Sequence, residues 1–542
     1  MRVSTVSCSC LLCGRKAVTA TMAGLNGLGR LGSGLGSFPK PFLIAIGMSF
    51  LMLHLLFLAN MSYIYATQFE TESRVHNFDI LYVDYDGGVI GQSVLDAYGA
   101  LEGPSFPTLK QSPADEYQTP DDVREKICSG DYWAAVIATE GASDRLSAAL
   151  SGDNETASQI ASSNPEQQLQ PALAYIWNGV RFPALSQGYL YSNILALVQV
   201  TRSTYYGRNA SSALQTILSA NPESPAPNPA SVQAFLNPIP VQEIDLQPTH
   251  QGTRVLYNTV TIIMPILAQF FFVMALNNIS LDFGVLTQPR AALTNGLLRA
   301  CLGLLYTCIG GIYTAGYVWG FRESWSVDGS AYALTWLIIW LYGHINFLLI
   351  DTLTGYIPMP FMPFAILSWV IINIASTIGP FELNPGFFKW GYALPGHEVY
   401  EILVQIWSGG CVNRLYRALP IIFSWWAALI VGSFFAGKRR VALAKRKAKK
   451  EQMERNLSPD HNHDNTRTLL QDAVLIEEEK GEKRTLPMGT GPTPSALAHE
   501  NSNTESRPPS SGRVSPIQEN PMRRTSETLN GGDRKRFSDF CI

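Results

Sequence analysis

Charged residues are scarce in this chain, at 15% of its 542 positions, where soluble proteins carry about 25%. The scarcity is local, because several long windows hold almost no charge, and this excludes an ordinary soluble globular protein. Nucleotide chemistry has no visible support either. The glycine clusters Gly32-Ser-Gly-Leu-Gly36 and Gly489-Thr-Gly491 lack the G-K-[ST] ending and the strand-to-helix setting of a P-loop. There is no G-x-S-x-G elbow and no H-E-x-x-H pair. The chain therefore reads as a non-enzyme without a cofactor. Its eight cysteines do not form a disulfide framework. Cys8, Cys10 and Cys13 cluster near the start, but structural zinc wants four ligands and no fourth lies close. Beside a membrane helix, cytosolic cysteines are candidates for lipidation.

What is present is a set of apolar windows. A bilayer core takes about 20 mostly apolar residues in a helix. Six windows qualify: 41–66, 255–277, 293–319, 332–355, 360–379 and 418–436. The first is longer than the apolar core of a secretory signal, roughly 7–15 residues, and reads as an uncleaved anchor. Orientation follows from Lys and Arg at the span ends. Residues 1–40 carry Arg2, Arg15, Lys16, Arg30 and Lys40 and no acid. Residues 438–450, KRRVALAKRKAKK, carry eight cations and no acid. Both termini are therefore expected in the cytosol, which an even number of spans permits. The 438–450 run should lie on anionic inner-leaflet lipid, at about 1 kcal/mol per cation.

This places residues 67–252 outside the cytosol, together with 320–331 and 380–417. Residues 67–252 hold 21 Asp and Glu against 8 Lys and Arg, which argues against nucleic acid as a partner. Their patterning is mixed α/β. A strand is expected at 78–85, closed by the Asp86-Gly87-Gly88 turn. Helices are expected at 91–101, after Asp121-Asp122, at 142–150, and over 166–219 with a break near Pro183. A strand is expected at 132–138, a linker at 221–229 and an extended stretch at 232–246. Asn154 and Asn209 open glycosylation sequons. From about 451 the composition predicts a disordered tail. Ser526 and Ser538 follow basic residues and Ser458 and Ser515 precede proline, so all four are candidate phosphorylation sites. The overall expectation is an α-helical membrane protein of six spans, arranged one plus five, with an α/β domain between the first two.

Polar residues inside spans are the functional candidates, since a charge in the bilayer costs at least ~2.5 kcal/mol and usually faces protein. Arg299 and Asp351 lie toward the cytosolic ends of neighbouring antiparallel spans and are placed to pair. His344 precedes Asp351 by seven residues, and Asn346 adds a hydrogen-bonding group. The functional reading is a polar lining for a path. The plainer one is a snorkelling Arg299, an interfacial Asp351 and a packed histidine. Gly296, Gly303 and Gly310 repeat every seven residues, with Gly316 and Gly320 following, and predict close helix contact. The aromatic 380–417 segment reads as a re-entrant or interfacial hairpin. Within it His397 and Glu398 could form a site, the plainer reading being surface polar groups at a turn, and Cys411 and Cys128, both non-cytosolic, could pair.

The order of motifs is specific where each alone is weak. VDYDGGVIG (83–91), DYWAAVI (131–137) and a following helical bundle resemble the type-2 ABC-exporter permease-like group, which includes the phage-infection-protein relatives. Arg181-Phe182 and Phe388-Lys-Trp-Gly-Tyr-Ala-Leu-Pro395 resemble more closely the fungal nitrosoguanidine-resistance membrane protein family, of the DUF3533 type. The sequence departs from that family at Gly396-His397-Glu398, where an asparagine is usual. The resemblance spans about 40–440. It implies plasma-membrane residence and a part in resistance to toxic small molecules, by export or by altering membrane lipids. Export without a P-loop would require a separate ATPase or an ion gradient, and a homo-oligomer is the other partner to expect. A non-transporting membrane organiser is the alternative.

Overall fold

A computed structural model describes residues 40–153, 155–156, 171–220, 227–248, 252–323 and 325–456. The first helix, α1 (Lys40–Thr67), has 6% of its apolar window buried. It touches the rest of the bundle along one face, where Asn60 Nδ2 donates to Ser368 Oγ at 3.1 Å. A short 3-10 stretch then leads into an α/β layer.

That layer is built in chain order from β1 (Asp79–Asp84), α2 (Val89–Leu101), β2 (Thr108–Ser112), α3 (Pro120–Ser129), β3 (Ala134–Ala138), α4 (Ala142–Leu150), β4 (Leu173–Trp177), α5 (Ser192–Ser219), α6 (Pro229–Leu236) and β5 (Val241–Asp245). The sheet order is β2-β1-β3-β4-β5. All pairs are parallel except β3 with β4. Strands β3 and β4 are buried at every position, as a sheet covered on both faces requires. One face packs under α2 and α5, and the other under α3 through Val123 and Ile127.

The sequence expectation of helix from 166 is corrected here: Leu173-Ala-Tyr-Ile-Trp177 is a strand, and the helix follows only after Pro183. A five-residue apolar run fits either period, and its place between β3 and β5 decided it. The expected extended stretch at 232–246 is helix to Leu236 and strand only from Val241. Thr119, two residues before the first of the expected aspartates, caps α3 in a capping box with Asp122.

The β1–α2 turn explains the VDYDGGVIG motif. Asp84 Oδ1 accepts from Asp86 N and Gly87 N, each at 3.0 Å. Asp86 accepts from Ser143 N at 2.7 Å, from Ser143 Oγ and from Gly88 N at 3.2 Å. The carboxylate thus ties the start of α2 to the start of α4. A Cβ on Gly91 would lie 2.2 Å from the Asp84 carboxylate, so the helix meets the strand end only with glycine there. Asp86→Ala strands these backbone donors and is expected to cost about 1–3 kcal/mol. A lowered protease-resistance midpoint of the full chain checks it, and an unchanged midpoint would contradict the role.

The bundle consists of α1, α7 (Val260–Asp282), α8 (Ala291–Gly320), α9 (Gly329–Thr354), α10 (Met362–Ala375), α11 (Pro395–Trp407) and α12 (Leu415–Asn456). Among the described residues five helices (α1, α7, α8, α9 and α12) are long and apolar enough to cross a membrane, and α10 is a shorter apolar helix. Helix α9 is central: 67% of its apolar window is buried, and it touches α7, α8, α11 and α12. Helix α12 continues through the basic run to Asn456, past position 451 where the tail is expected to begin, and the residues after Asn456 lie outside the described ones. The α/β layer sits at the end of the bundle where α9 and α12 begin. There Arg74 Nε donates to Leu383 O, Asn77 Nδ2 to Glu382 O and Arg414 Nη2 to Gly130 O, at 2.7–3.1 Å. Cys128 and Cys411 form a disulfide across the same contact.

Candidate functional site

Three features qualify, and they occupy different levels of the bundle. The deepest is an ionic network at the end far from the α/β layer. Helices α8 and α9 run antiparallel, so the eighth residue after Ala291 meets the third before Thr354. Arg299 Nη1 lies 2.6 Å from Asp351 Oδ1, with side chains 5% and 2% exposed. Arg299 also donates to Asn277 Oδ1 of α7. The expected pair therefore forms, and Arg299 does not snorkel. Two further partners come from α12. Ser433 Oγ donates to Asp351 Oδ2 at 2.7 Å, and Arg440 Nη2 lies 3.0 Å from Asp351 Oδ1. Arg440 also donates to Asp351 O and Thr354 Oγ1, each at 2.8 Å. One carboxylate thus joins α8, α9 and α12 and faces two guanidiniums.

The other polar candidates in α9 are packing groups. Trp426 Nε1 donates to His344 Nδ1 at 2.9 Å. Trp369 Nε1 donates to Asn346 Oδ1 at 2.8 Å, while Asn346 Nδ2 donates to Tyr342 O. These side chains point to different neighbours and do not converge with Asp351 on one lining.

The glycine expectation is corrected in part. A Cβ on Gly303 would lie 2.5 Å from the Phe347 ring, so this glycine does allow close contact. Gly310 is in ordinary contact, and Gly296, Gly316 and Gly320 have nothing within 4 Å. The backbone approach occurs instead at Gly311, where a Cβ would lie 3.1 Å from Trp336 O and Trp340 N.

The second feature is a groove of about 740 Å³ at the α/β end, within the size range of small-molecule sites. Leu334, Leu337 and Leu341 of α9 form one wall, Ile402 and Ile406 of α11 a second, and Leu419 of α12 a third. Gln247, Asp328 and Ser330 lie at its mouth. From Ser330 to Leu341 the α9 wall runs about 16 Å. Leu334 and Leu337 are half-exposed, so the groove opens sideways where lipid would lie.

The third is a buried ionic cluster under the α/β layer. His397 and Glu398, expected on the surface, are 2% and 0% exposed. The layer and the 380–394 segment cover them. His397 Nδ1 contacts Ser376 O at 2.8 Å, and its Nε2 lies 3.9 Å from Glu401 Oε1. Arg417 Nε of α12 lies 3.1 Å from Glu398 Oε1, and its guanidinium stacks on Tyr392. Arg181 is buried with its guanidinium 3.4 Å from the Trp133 ring centroid, in the field of Glu382 and Glu401. Phe182 beside it takes a left-handed φ of 48°, a strained choice for a bulky residue, and its N–H donates to Tyr400 Oη at 3.0 Å. Burial pushes the Glu398 carboxyl up to about 7, against the opposing pull of Arg417. Burial also lowers the His397 imidazole. Because the folded value of Glu398 stands above its ordinary one, its contribution to stability is full at low pH and fades as pH rises through about 7.

Of the remaining sequence candidates, Asn209 lies half-buried within α5, a helical setting rather than a loop. Asn154, Cys8, Cys10, Cys13, Ser458, Ser515, Ser526 and Ser538 lie outside the described residues.

A protein-family model described as "Protein of unknown function (DUF3533)" matches residues 49–431. That span takes in the α/β layer, the groove, the buried cluster and the Arg299–Asp351 pair, and it ends before Ser433 and Arg440 of the ionic network. No solved structure matches the chain.

Proposed function

As this chain belongs to the DUF3533 family, we propose from its own geometry that it is a permease-like membrane protein that handles amphipathic small molecules and contributes to resistance to toxic ones. The carrying observation is the groove between α9, α11 and α12, with an apolar α9 wall of about 15 Å from Ala331 to Leu341 and a polar mouth that includes the Asp328 carboxylate. An apolar tail fits the wall and a cationic or donor head fits the mouth. The sideways opening suits entry from the bilayer rather than from water.

In this reading the chain crosses the plasma membrane six times with both ends in the cytosol, α10 being the short sixth crossing. The Cys128–Cys411 bond supports it, since disulfides persist in oxidising compartments and both cysteines stand at the end expected outside. The resemblance to export permeases agrees, and energy would come from a separate ATPase or an ion gradient.

A second reading, a membrane organiser that sets lipid distribution, draws on α12. Its cationic run stays helical beyond the apolar span, where Lys447 and Lys450 are strongly exposed and suited to anionic headgroups.

One comparison separates the two. Cells with the wild-type chain, without it, or with Leu337→Trp are loaded with a fluorescent dodecyl quaternary ammonium. Permease action expects several-fold lower accumulation with the wild type only, because the indole fills the groove. Equal accumulation in all three overturns that reading. Altered lipid asymmetry that Leu337→Trp leaves intact favours the organiser.

A further inference from the structure

The groove and the buried ionic cluster share two helices. Ile402 and Ile406 of the groove wall lie one and two turns beyond Glu398 on α11. Leu415 and Leu419 of the facing wall bracket Arg417 on α12. The contact between Glu398 and Arg417, at 3.1 Å, is therefore a cross-tie between two walls of the groove, placed at its α/β end. From this geometry we infer that a proton taken up by Glu398 releases the tie and opens the groove, so that amphipath binding is linked to proton binding. The inference rests on the groove being a ligand site and adds its coupling ion.

The chemistry at Glu398 favours such a switch. Its carboxylate is wholly buried, and an ionised buried carboxylate depends on its counterion. Charged groups stand around it from every side. Glu401 and His397 lie on its own helix, and Arg417 comes from α12. Around that core stand Arg181 from the α/β layer, Glu382 and Tyr392 from the segment before α11, and Arg414 from the one after it. Glu401 and burial oppose ionisation, and Arg417 alone among its direct charge partners supports it. Once protonated, the carboxyl is neutral in an apolar setting and no longer holds the guanidinium. Arg417 has somewhere to go, because its side chain is 29% exposed and borders solvent. The proton bonds to a carboxylate oxygen, with no other bond made or broken. Burial pushes the titration of this group to about 7, so the switch operates near neutral pH.

The test uses purified full-length chain in nanodiscs and a fluorescent dodecyl quaternary ammonium, whose own charge does not titrate, with binding read by anisotropy at pH 5.5 and 8.5. Wild type is expected to bind roughly tenfold more tightly at pH 5.5, an ordinary size for coupling between two sites. Glu398→Gln mimics the protonated carboxyl and is expected to bind at both pH values as the wild type does at 5.5. Arg417→Gln removes the tie from the other helix and should do the same, which keeps the test decisive if one variant folds poorly. Wild-type binding that Leu337→Trp abolishes but that does not vary with pH overturns the proton link and leaves the groove standing. A pH dependence retained in both tie variants overturns it as well. Binding indifferent to Leu337→Trp at both pH values overturns the groove reading itself.

Discussion

Replacing Asp351 with leucine is expected to destabilise the membrane bundle by about 3–5 kcal/mol, the cost of leaving buried charge uncompensated. The residue is 2% exposed and, among the described residues, is the one carboxylate paired with both Arg299 and Arg440. Without it, two guanidiniums stay in a low-dielectric setting facing each other, and Ser433 Oγ loses its acceptor. Asp351→Asn keeps an acceptor of the same shape and should cost less, though both cations remain. Asp351→Leu combined with Arg299→Leu should recover much of the loss, because replacing both partners of a buried pair by apolar groups is often close to neutral. Melting of the solubilised full chain, followed by size-exclusion chromatography, measures these variants and Arg299→Leu alone against the wild type. Strict additivity of the two single losses in the double variant would remove the pair from the account. The same variants bear on function: a merely structural network predicts that folded Asp351→Asn still lowers amphipath accumulation, and a polar path predicts that it does not.

How far the sequence reveals this site depends on the range of the interaction. The Arg299–Asp351 pair is legible, because depth in two antiparallel spans is a one-dimensional quantity and short loops fix which helices are neighbours. Arg440 is not, since it stands third in a run of eight cations that reads as lipid-facing as a whole. Its distinguishing signal is position: it stands seven residues after Ser433, on the same face of α12, at the level where α9 ends. His397 and Glu398 mislead for a different reason. A Gly-His-Glu stretch after Leu-Pro has the local signature of a surface turn, and what buries it is assembled from Phe381 and Tyr392 before it, Arg417 after it, and the α/β layer some 200 residues earlier, whose Phe182 reaches Tyr400 on the same helix. No window of sequence carries that information. The Leu173–Trp177 strand is the same case on a smaller scale, as its period is too short to tell strand from helix until β3 and β5 flank it. The glycines divide by partner: Gly303 and Gly311 are forced by Phe347 and Trp336 of α9, whereas the heptad spacing alone also selects Gly296, which faces nothing.

Breaking the Cys128–Cys411 bond is expected to cost roughly 2–5 kcal/mol, the usual range for removing a native disulfide. The bond closes a separation of 283 residues, and long closures restrict the unfolded chain most. It also stands where two bodies of the fold meet. Cys128 lies at the end of α3, and Cys411 lies in the short link between α11 and α12. Around it Val412, at a left-handed φ of 58°, donates its N–H to Cys128 O, and Arg414 reaches Gly130 O at 3.1 Å. Those contacts hold the link against the α/β layer, and the link sets the spacing of two groove walls. Cys128→Ser with Cys411→Ser should therefore lower the melting temperature and also weaken amphipath binding, while reduction of the wild type should reproduce both effects. Cys301 and Cys308 are free and give the internal control, since alkylation without reductant should reach Cys301 on the bundle surface and spare the other pair. Labelling of Cys128 and Cys411 in unreduced protein would contradict the bond and, with it, the assignment of this end of the chain to an oxidising compartment. A double variant that melts with the wild type yet loses binding would instead assign the bond to positioning the groove rather than to holding the fold.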